Sequence, residues 1–395
     1  MGNIKDKVAI IGMGCTQFGD LWKMGVPDLI IECCYEAYKD AGVGPKDIEA
    51  VFVGNVSSSM WTGATVTEAL QLDRIPATRV ENNCATAAEA LRVGAFSVAS
   101  GMYDTVLCVG FEKLKDYGSG ALEMPGSMHP ISVVGSAPAS FAKSAVQYFD
   151  KYKIPRDKGK EIIAKIAVKN HANGALHPKA HFRRAITLET ALNAPIIAWP
   201  LGLFDCCPVT DGASAAIISR ADKAKSHKQD YVLIKGIGLS VGRIDPFKGK
   251  FRSDVDITFW DETWVAAQQA YQQVGIKDPR KEIGMAEVHD CFSITELIIY
   301  ESLGFCPRGK GPEEVEAGSF TLKGDLPINT DGGLKSFGHP VGASGLRMIY
   351  ELYNQLLGRA GERQLKNPKL GLAHSQGGTP GMFQASVTLI GPGAN

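Results

Sequence analysis

A single cysteine at position 84 stands in the run Val80-Glu81-Asn82-Asn83-Cys84-Ala85-Thr86-Ala87-Ala88-Glu89-Ala90-Leu91. Two asparagines precede it, and small, helix-compatible residues follow for more than two turns. The pattern predicts a tight turn that delivers Cys84 to the first turn of a buried, Ala-rich helix. Unpaired N–H groups and a partial positive charge at such a helix start favour thiolate over thiol. A thiolate there can attack a carbonyl carbon and hold the acyl group. Free cysteine is also among the most buried residue types, so taken alone Cys84 also fits a packing role.

Three later stretches change that balance. His289-Asp290-Cys291-Phe292 follows the apolar Met285-Ala286-Glu287-Val288 and places two potential proton carriers at a strand end, where α/β sheets hold ligands. In Gly332-Gly333-Leu334-Lys335-Ser336-Phe337-Gly338-His339-Pro340-Val341-Gly342-Ala343-Ser344, His339 is fixed between Gly338 and Pro340 ahead of a helix. Leu372-Ala373-His374-Ser375-Gln376-Gly377-Gly378 reads as a strand stopping at a glycine turn that can aim backbone N–H groups. One cysteine nucleophile with several histidines at strand–helix junctions is what covalent acyl transfer needs.

The elements that must position these residues are legible in outline. Val8 to Gly14 is a buried strand, and its Gly12 and Gly14 do not make a dinucleotide loop, because Gln17 stands where the third glycine is required. Asp28 to Ala41 has helical apolar spacing and stops at Gly42, Val51 to Asn55 is a strand, and Asp104 to Gly110 is an apolar strand of the parallel-sheet kind. Residues 113–199 read as an inserted region over the α/β core. It is irregular around Gly118, Gly120, Met124 and Met128, then basic and helical from Lys158 to Asn173. His171, His177 and His181 in it are expected on a solvated loop rather than on a metal, since no carboxylate or cysteine accompanies them. Cys206 and Cys207 are expected to be structural, before a strand at Ala213 to Ser219 and a charged linker, Arg220 to Asp230. Tyr231 to Gly238 resembles Val8 to Gly14, a weak internal repeat that implies a second strand–helix half. The division expected is 1–220, carrying the nucleophile and the insertion, and 231–395, carrying the His and Cys acid–base motifs. Helices are expected from Trp260 to Val274 and from Ser293 to Leu303.

Composition narrows the classes. Lys plus Arg and Asp plus Glu each number 42 in 395 residues, so no global field recruits nucleic acid or an anionic membrane. Nine cysteines with two adjacent pairs and no C-x-x-C spacing argue against a disulfide framework or a zinc ribbon. No apolar leader and no membrane-length apolar run is expected, and a reducing cytoplasm fits best.

With Asn83-Cys84-Ala85-Thr86, His289-Asp290-Cys291-Phe292, the glycine-rich run through His339 and Asp211-Gly212-Ala213-Ser214-Ala215 in this order, the chain resembles the thiolase superfamily along nearly its whole length. The resemblance implies an α/β thiolase fold: two similar halves whose central mixed sheets pack in layers with helices, plus an inserted loop domain. His289-Asp290-Cys291-Phe292 is similar to the sterol-carrier-protein-2-type branch; other thiolases carry Asn-Glu-Ala-Phe there and a Cys-x-Gly near the C-terminus, where this chain has His374-Ser375-Gln376-Gly377. The resemblance therefore implies Cys84 as nucleophile, His339 as its base, His289 with His339 as donors to an enolate oxygen, and Cys291 as the second acid/base. The backbone N–H groups of Cys84 and Gly377 would meet the tetrahedral oxyanion, and His374 is either a polar contact or a packed histidine. Implied too are cleavage of a 3-oxoacyl-CoA by free CoA, the latter a co-substrate with no permanently bound cofactor and no metal, and a homodimer. The resemblance extends to thiolases that act on an aromatic 3-oxoacyl-CoA such as benzoylsuccinyl-CoA, and to a small DUF35-type partner with an OB-fold and a zinc ribbon. A condensing synthase of the same fold and a non-catalytic acyl-CoA or lipid scaffold are the competing readings.

Overall fold

A computed structural model of the protein describes residues 3–57, 60–117, 136–242 and 255–393. The expected irregular stretch around Gly118, Gly120, Met124 and Met128 lies outside them. In chain order the elements are β1 (Val8–Cys15), α1 (Val26–Ala41), β2 (Ala50–Gly54), α2 (Thr62–Ala69), β3 (Ala77–Val80), α3 (Thr86–Ala99), β4 (Thr105–Lys113), α4 (Ala137–Lys151), α5 (Arg156–Gly174) and β5 (Asp211–Arg220). Then follow β6 (Val232–Val241), α6 (Asp261–Val274), β7 (Met285–Val288), α7 (Ser293–Ser302), α8 (Gly333–Ser336), α9 (Ser344–Leu356), β8 (Gly371–Thr379) and β9 (Met382–Pro392).

Nine strands form one sheet in the order β3-β2-β4-β5-β1-β6-β9-β8-β7. Read outward from the middle, the two sides repeat each other. β1 pairs antiparallel with β5, β5 antiparallel with β4, and β4 parallel with β2; β6 pairs antiparallel with β9, β9 antiparallel with β8, and β8 parallel with β7. The two similar α/β halves are thus joined where Ala9 faces Leu233 and Ile10 faces Val232. β1 and β4 are buried along their whole length, which their unbroken apolar runs require when both faces are covered by helices. α1 covers β1 and β5 on the outside, α6 covers β6 and β9, and α3 and α9 lie between, each touching strands of both halves.

Local sequence accounts for these elements. Asp28 accepts from the Gly25 N–H at 2.8 Å and Pro27 sits in the first turn, so α1 begins two residues before its apolar periodicity does. It ends on Gly42 in the left-handed conformation. Leu29, Ile30, Cys33, Cys34, Ala37, Tyr38 and Ala41 form its buried stripe. The expected charged linker is instead the end of β5 and a short helix, Ala221–His227, because Arg220 pairs with Asp222 and Lys223 with Asp104. α4 is a further helix in the inserted region, capped by Ser136 and burying Phe141, Ala145, Tyr148 and Phe149.

The three histidines of that region are not on a solvated loop. His171 and His177 are buried. His171 lies against Phe182 and Phe204, His177 against Phe337 at 4.6 Å, and His181 meets the Thr210 hydroxyl at 3.2 Å. The rings are apolar enough, once neutral, to pack as aromatics, and burial holds His171 down at about 4 and His177 at about 3.

Candidate active site

The nucleophile turn is built from main-chain bonds pinned by the Thr86, Glu81 and Gln384 side chains. Asn83 takes a left-handed φ of 49°, a conformation asparagine tolerates. Ala85 N–H then donates to Asn82 O at 2.9 Å and Thr86 N–H to Asn83 O at 3.1 Å, while the Asn82 N–H reaches the Thr86 hydroxyl at 2.9 Å. α3 begins at Thr86, so Cys84 stands just ahead of the helix rather than in its first turn. The helix-start effect does not win here. Burial, with Cys207 and the Glu112 carboxylate nearby, pushes the Cys84 thiol up to about 12 against a smaller opposing pull from its own N–H. A base beside it is therefore needed.

That base is within reach. The Cys84 sulfur and one ring nitrogen each of His289 and His339 all lie within 4.8 Å of one another. The two imidazoles meet edge to face, centroids 5.2 Å apart. His339 Nδ1 lies 2.8 Å from the Ser344 hydroxyl, which itself donates to Pro340 O at 3.0 Å. With that single hydroxyl proton committed, the ring proton sits on Nδ1, and Nε2, without a partner among the described residues, offers a lone pair. Burial holds His339 neutral, down at about 3, and puts His289 well below the usual imidazole range. A cysteine and two histidines this close are also ligand types for zinc, and they are the one such group among the described residues.

Two loops interlock beneath these rings. Asp290 is committed to backbone and amide donors. Its carboxylate accepts from Leu334 N–H at 2.5 Å, from Lys335 N–H at 3.3 Å and from the Asn170 amide at 2.7 Å. Gly333, at φ +60°, leaves no room for a side chain, since a Cβ would sit 2.5 Å from Asp290 Oδ2. Asp290 thus seats the short helix α8 that leads to His339. Cys291, buried, faces the Thr295 hydroxyl at 3.6 Å and lies in the electrostatic reach of Cys84. Burial pushes its thiol far up, Cys84 adds to that rise, and Lys335 opposes it.

The remaining expected residues separate. β8 runs straight through Gly377 and Gly378 to Thr379 rather than stopping at them. At Gly377 a Cβ would lie 2.4 Å from Cys84 N, so this strand and the nucleophile turn touch backbone to backbone. Asn83 Nδ2 donates to Gln384 Oε1 on the neighbouring β9 at 2.6 Å, securing the same contact. His374 lies outside the close group. Its Nε2 is 3.0 Å from the Thr263 hydroxyl of α6, which donates on to Gln376 at 3.1 Å, and burial alone holds it down at about 3.

Sequence reasoning missed three contributors. Cys207 N–H donates to Cys291 O at 2.9 Å, setting that cysteine directly across from Cys291 instead of in remote packing. Glu112, one residue before the end of β4, has its carboxylate on the Val56 N–H at 2.6 Å and on Ser57, and burial lifts it to about 7. Ser344 was visible only as a small residue; its five-residue spacing from His339 was the available signal.

Comparison with known proteins bears on this geometry. Residues 8–222 match the thiolase N-terminal domain and residues 248–391 the thiolase C-terminal domain-like family. The chain belongs to the thiolase superfamily, and its class is that of acyltransferase enzymes. Within the superfamily it falls in the sterol-carrier-protein-2 branch. It is 32% identical over 386 residues to chicken sterol carrier protein 2, covering 94% of this chain and 70% of that one. It is 36% identical over 382 residues to an acetyl-CoA acetyltransferase of Methanothermobacter thermautotrophicus, covering 95% and 97%. Among solved structures it superposes on an Ltp2-ChsH2(DUF35) aldolase with a TM-score of 0.85 at 25% identity, over the full length of both chains. Human mitochondrial 3-ketoacyl-CoA thiolase, TM-score 0.72 at 19% identity and full coverage of both, shares the fold. No described helix is long and apolar enough to cross a membrane.

Proposed function

We propose that the protein cleaves a 3-oxoacyl-CoA with free CoA through an acyl-enzyme on Cys84. The observation that carries this is the close approach of the Cys84 thiol to His289 and His339, with His339 Nε2 left free by the Ser344 contact. Nε2 takes the thiol proton as sulfur attacks the 3-oxo carbon. The bond between C2 and C3 then breaks, leaving the acyl group on Cys84 and an acyl-CoA enolate whose oxygen faces His289 and the now protonated His339. Cys291 protonates C2 and becomes a thiolate. Free CoA surrenders its thiol proton to that thiolate and attacks the acyl-enzyme, and His339 returns its proton to Cys84. The Cys84 and Gly377 N–H groups are the proposed donors to the tetrahedral oxyanion; the backbone contact at Gly377 supports this.

The division of the chain between residues 220 and 231 belongs to the same reading and is supported by the domain matches on either side of it. A DUF35-type partner is supported by the complex named for the aldolase relative. An aromatic 3-oxoacyl-CoA such as benzoylsuccinyl-CoA is the substrate we propose to test first, beside acetoacetyl-CoA. That aldolase favours one second reading, retro-aldol cleavage, which needs neither free CoA nor a covalent thiol. Incubation with a 3-oxoacyl-CoA panel, with and without CoA, followed by peptide mass spectrometry decides. CoA-dependent cleavage with an acyl adduct on the Cys84 peptide is expected; CoA-independent cleavage without an adduct supports the aldolase.

A further inference from the structure

The loop that carries His339 also carries a lysine the reaction above leaves unused. Lys335 lies on α8, and only 1% of it is exposed. Its Nζ donates to the main-chain carbonyl of Asp205 at 2.9 Å and to that of Asp290 at 3.0 Å. Among the described residues no carboxylate oxygen lies within ion-pair distance of it. Burying an ammonium costs several kcal/mol after relaxation, and a carboxylate partner is the common remedy. Here the charge rests on carbonyl dipoles, and the Asp290 carboxylate, beyond ion-pair distance, offsets only part of its field.

The position of those carbonyls matters. One belongs to the peptide entering Cys206, the other to the peptide entering Cys291, and the two strands meet where Cys207 N–H donates to Cys291 O at 2.9 Å. The ammonium therefore sits where three chain segments converge, on the peptide that leads into Cys291. The Cys291 thiol meets the Thr295 hydroxyl at 3.6 Å, the charges that act on it are those of Cys84, Lys335 and Asp290, and Cys207 lies across the strand pair. Asp290 has its carboxylate committed to two amides of α8 and to Asn170. Lys335 is the one cation in the set.

We propose that Lys335 is a positioning residue for proton transfer at the second thiol: clamped on the carbonyls of Asp205 and Asp290, it fixes the Cys291 loop and supplies the positive field against which that thiol releases and regains its proton. This rests on the reading that Cys291 carries the second proton. The field opposes the effect of burial, which raises a thiol toward inertness.

The test reads deuterium exchange into acetyl-CoA against pH in the full-length Cys84→Ala protein, where the coupled thiol is gone. Lys335→Gln keeps donors for the carbonyls and removes the charge. Its exchange midpoint should move up by about one unit, a loss of about tenfold at neutral pH, the size expected of one nearby charge at a partly screened site. Lys335→Arg should keep the midpoint near the original. A folded Lys335→Gln protein whose rate falls equally at every pH, or does not fall, overturns the proposal. Should that variant not fold, Lys335→Met replaces it in the same background. An upward move of the midpoint supports a cation-assisted thiol, and an unmoved midpoint refutes it. Cys291→Ser is the separating control. If it retains exchange, the assignment of Cys291 fails independently of Lys335.

Discussion

The helices α3 and α9 occupy matching places in the two halves, and each delivers one member of the site from the residues before its first turn. They pack so closely that a Cβ on Gly345 of α9 would lie 2.6 Å from Ala88 N of α3. What differs is the means of delivery. Ahead of α3 main-chain bonds to Asn82 and Asn83, with the Thr86, Glu81 and Gln384 side chains on the same two residues, place the backbone, and the reactive atom follows from backbone position. Ahead of α9 a side chain, the Ser344 hydroxyl, orients a ring and fixes which nitrogen is free. A nucleophile whose own N–H is also to bind an oxyanion needs its backbone placed. A base needs its tautomer set. The two helix starts solve these separate problems.

Substitutions at each start should therefore fail differently. His339→Ala removes the base outright, and acylation of Cys84 should slow by about 10²–10⁴-fold. Iodoacetamide labelling of Cys84 should lose its dependence on the imidazole, which a pH series of the labelling rate checks. Gly377→Ala acts on the backbone side. The added methyl meets Cys84 N, the turn must shift, and turnover should fall by about 10²-fold as an oxyanion donor is misplaced. Burst kinetics should show the loss in acyl-enzyme formation with KM little changed. Ser344→Ala acts on the side-chain side and should cost about tenfold in acylation, with Tm nearly unmoved, because the ring keeps its packing but loses its tautomer control.

How much of this was legible follows the same division. β1, α1, β4 and α6 came from apolar periodicity and glycine stops; Cys84, His289 and His339 stood out by residue type beside such elements, and the role expected of Cys291 came from the family resemblance. α2 and β3 went unread because Thr62 to Ala69 has few large apolar residues and β3 is an edge strand only partly buried. Cys207, Glu112 and Thr263 went unread because their roles depend on pairing between segments far apart in sequence. Asp290, between two residues read as chemical, went unread, since the amides that use it lie over forty residues away.

The smallest expected effect concerns pH. His374, held neutral at about 3 when folded, titrates near 6.5 when unfolded. The unfolded chain binds more protons in between, so this contribution to stability is complete above pH 6.5 and is lost as pH falls toward 3. His339, also at about 3, acts in the same direction. Urea midpoints should drop from pH 6.5 to pH 5, and His374→Gln should flatten the slope by up to about 1.4 kcal/mol per pH unit.

The seam between the halves has a further consequence. Only two residue pairs join β1 to β6, and β1 is otherwise paired to its own half. Across that narrow seam the lateral grip is supplied partly by the reactive region itself, through Asn83 to Gln384 and through Lys335 to Asp205. Cohesion and chemistry thus share fasteners. A lineage carrying this chain cannot loosen one half to admit a bulkier acyl group without also spreading the gap that keeps sulfur beside imidazole. Room for new substrates has to come from segments that hang over the cleft, leaving the fastened floor as it is.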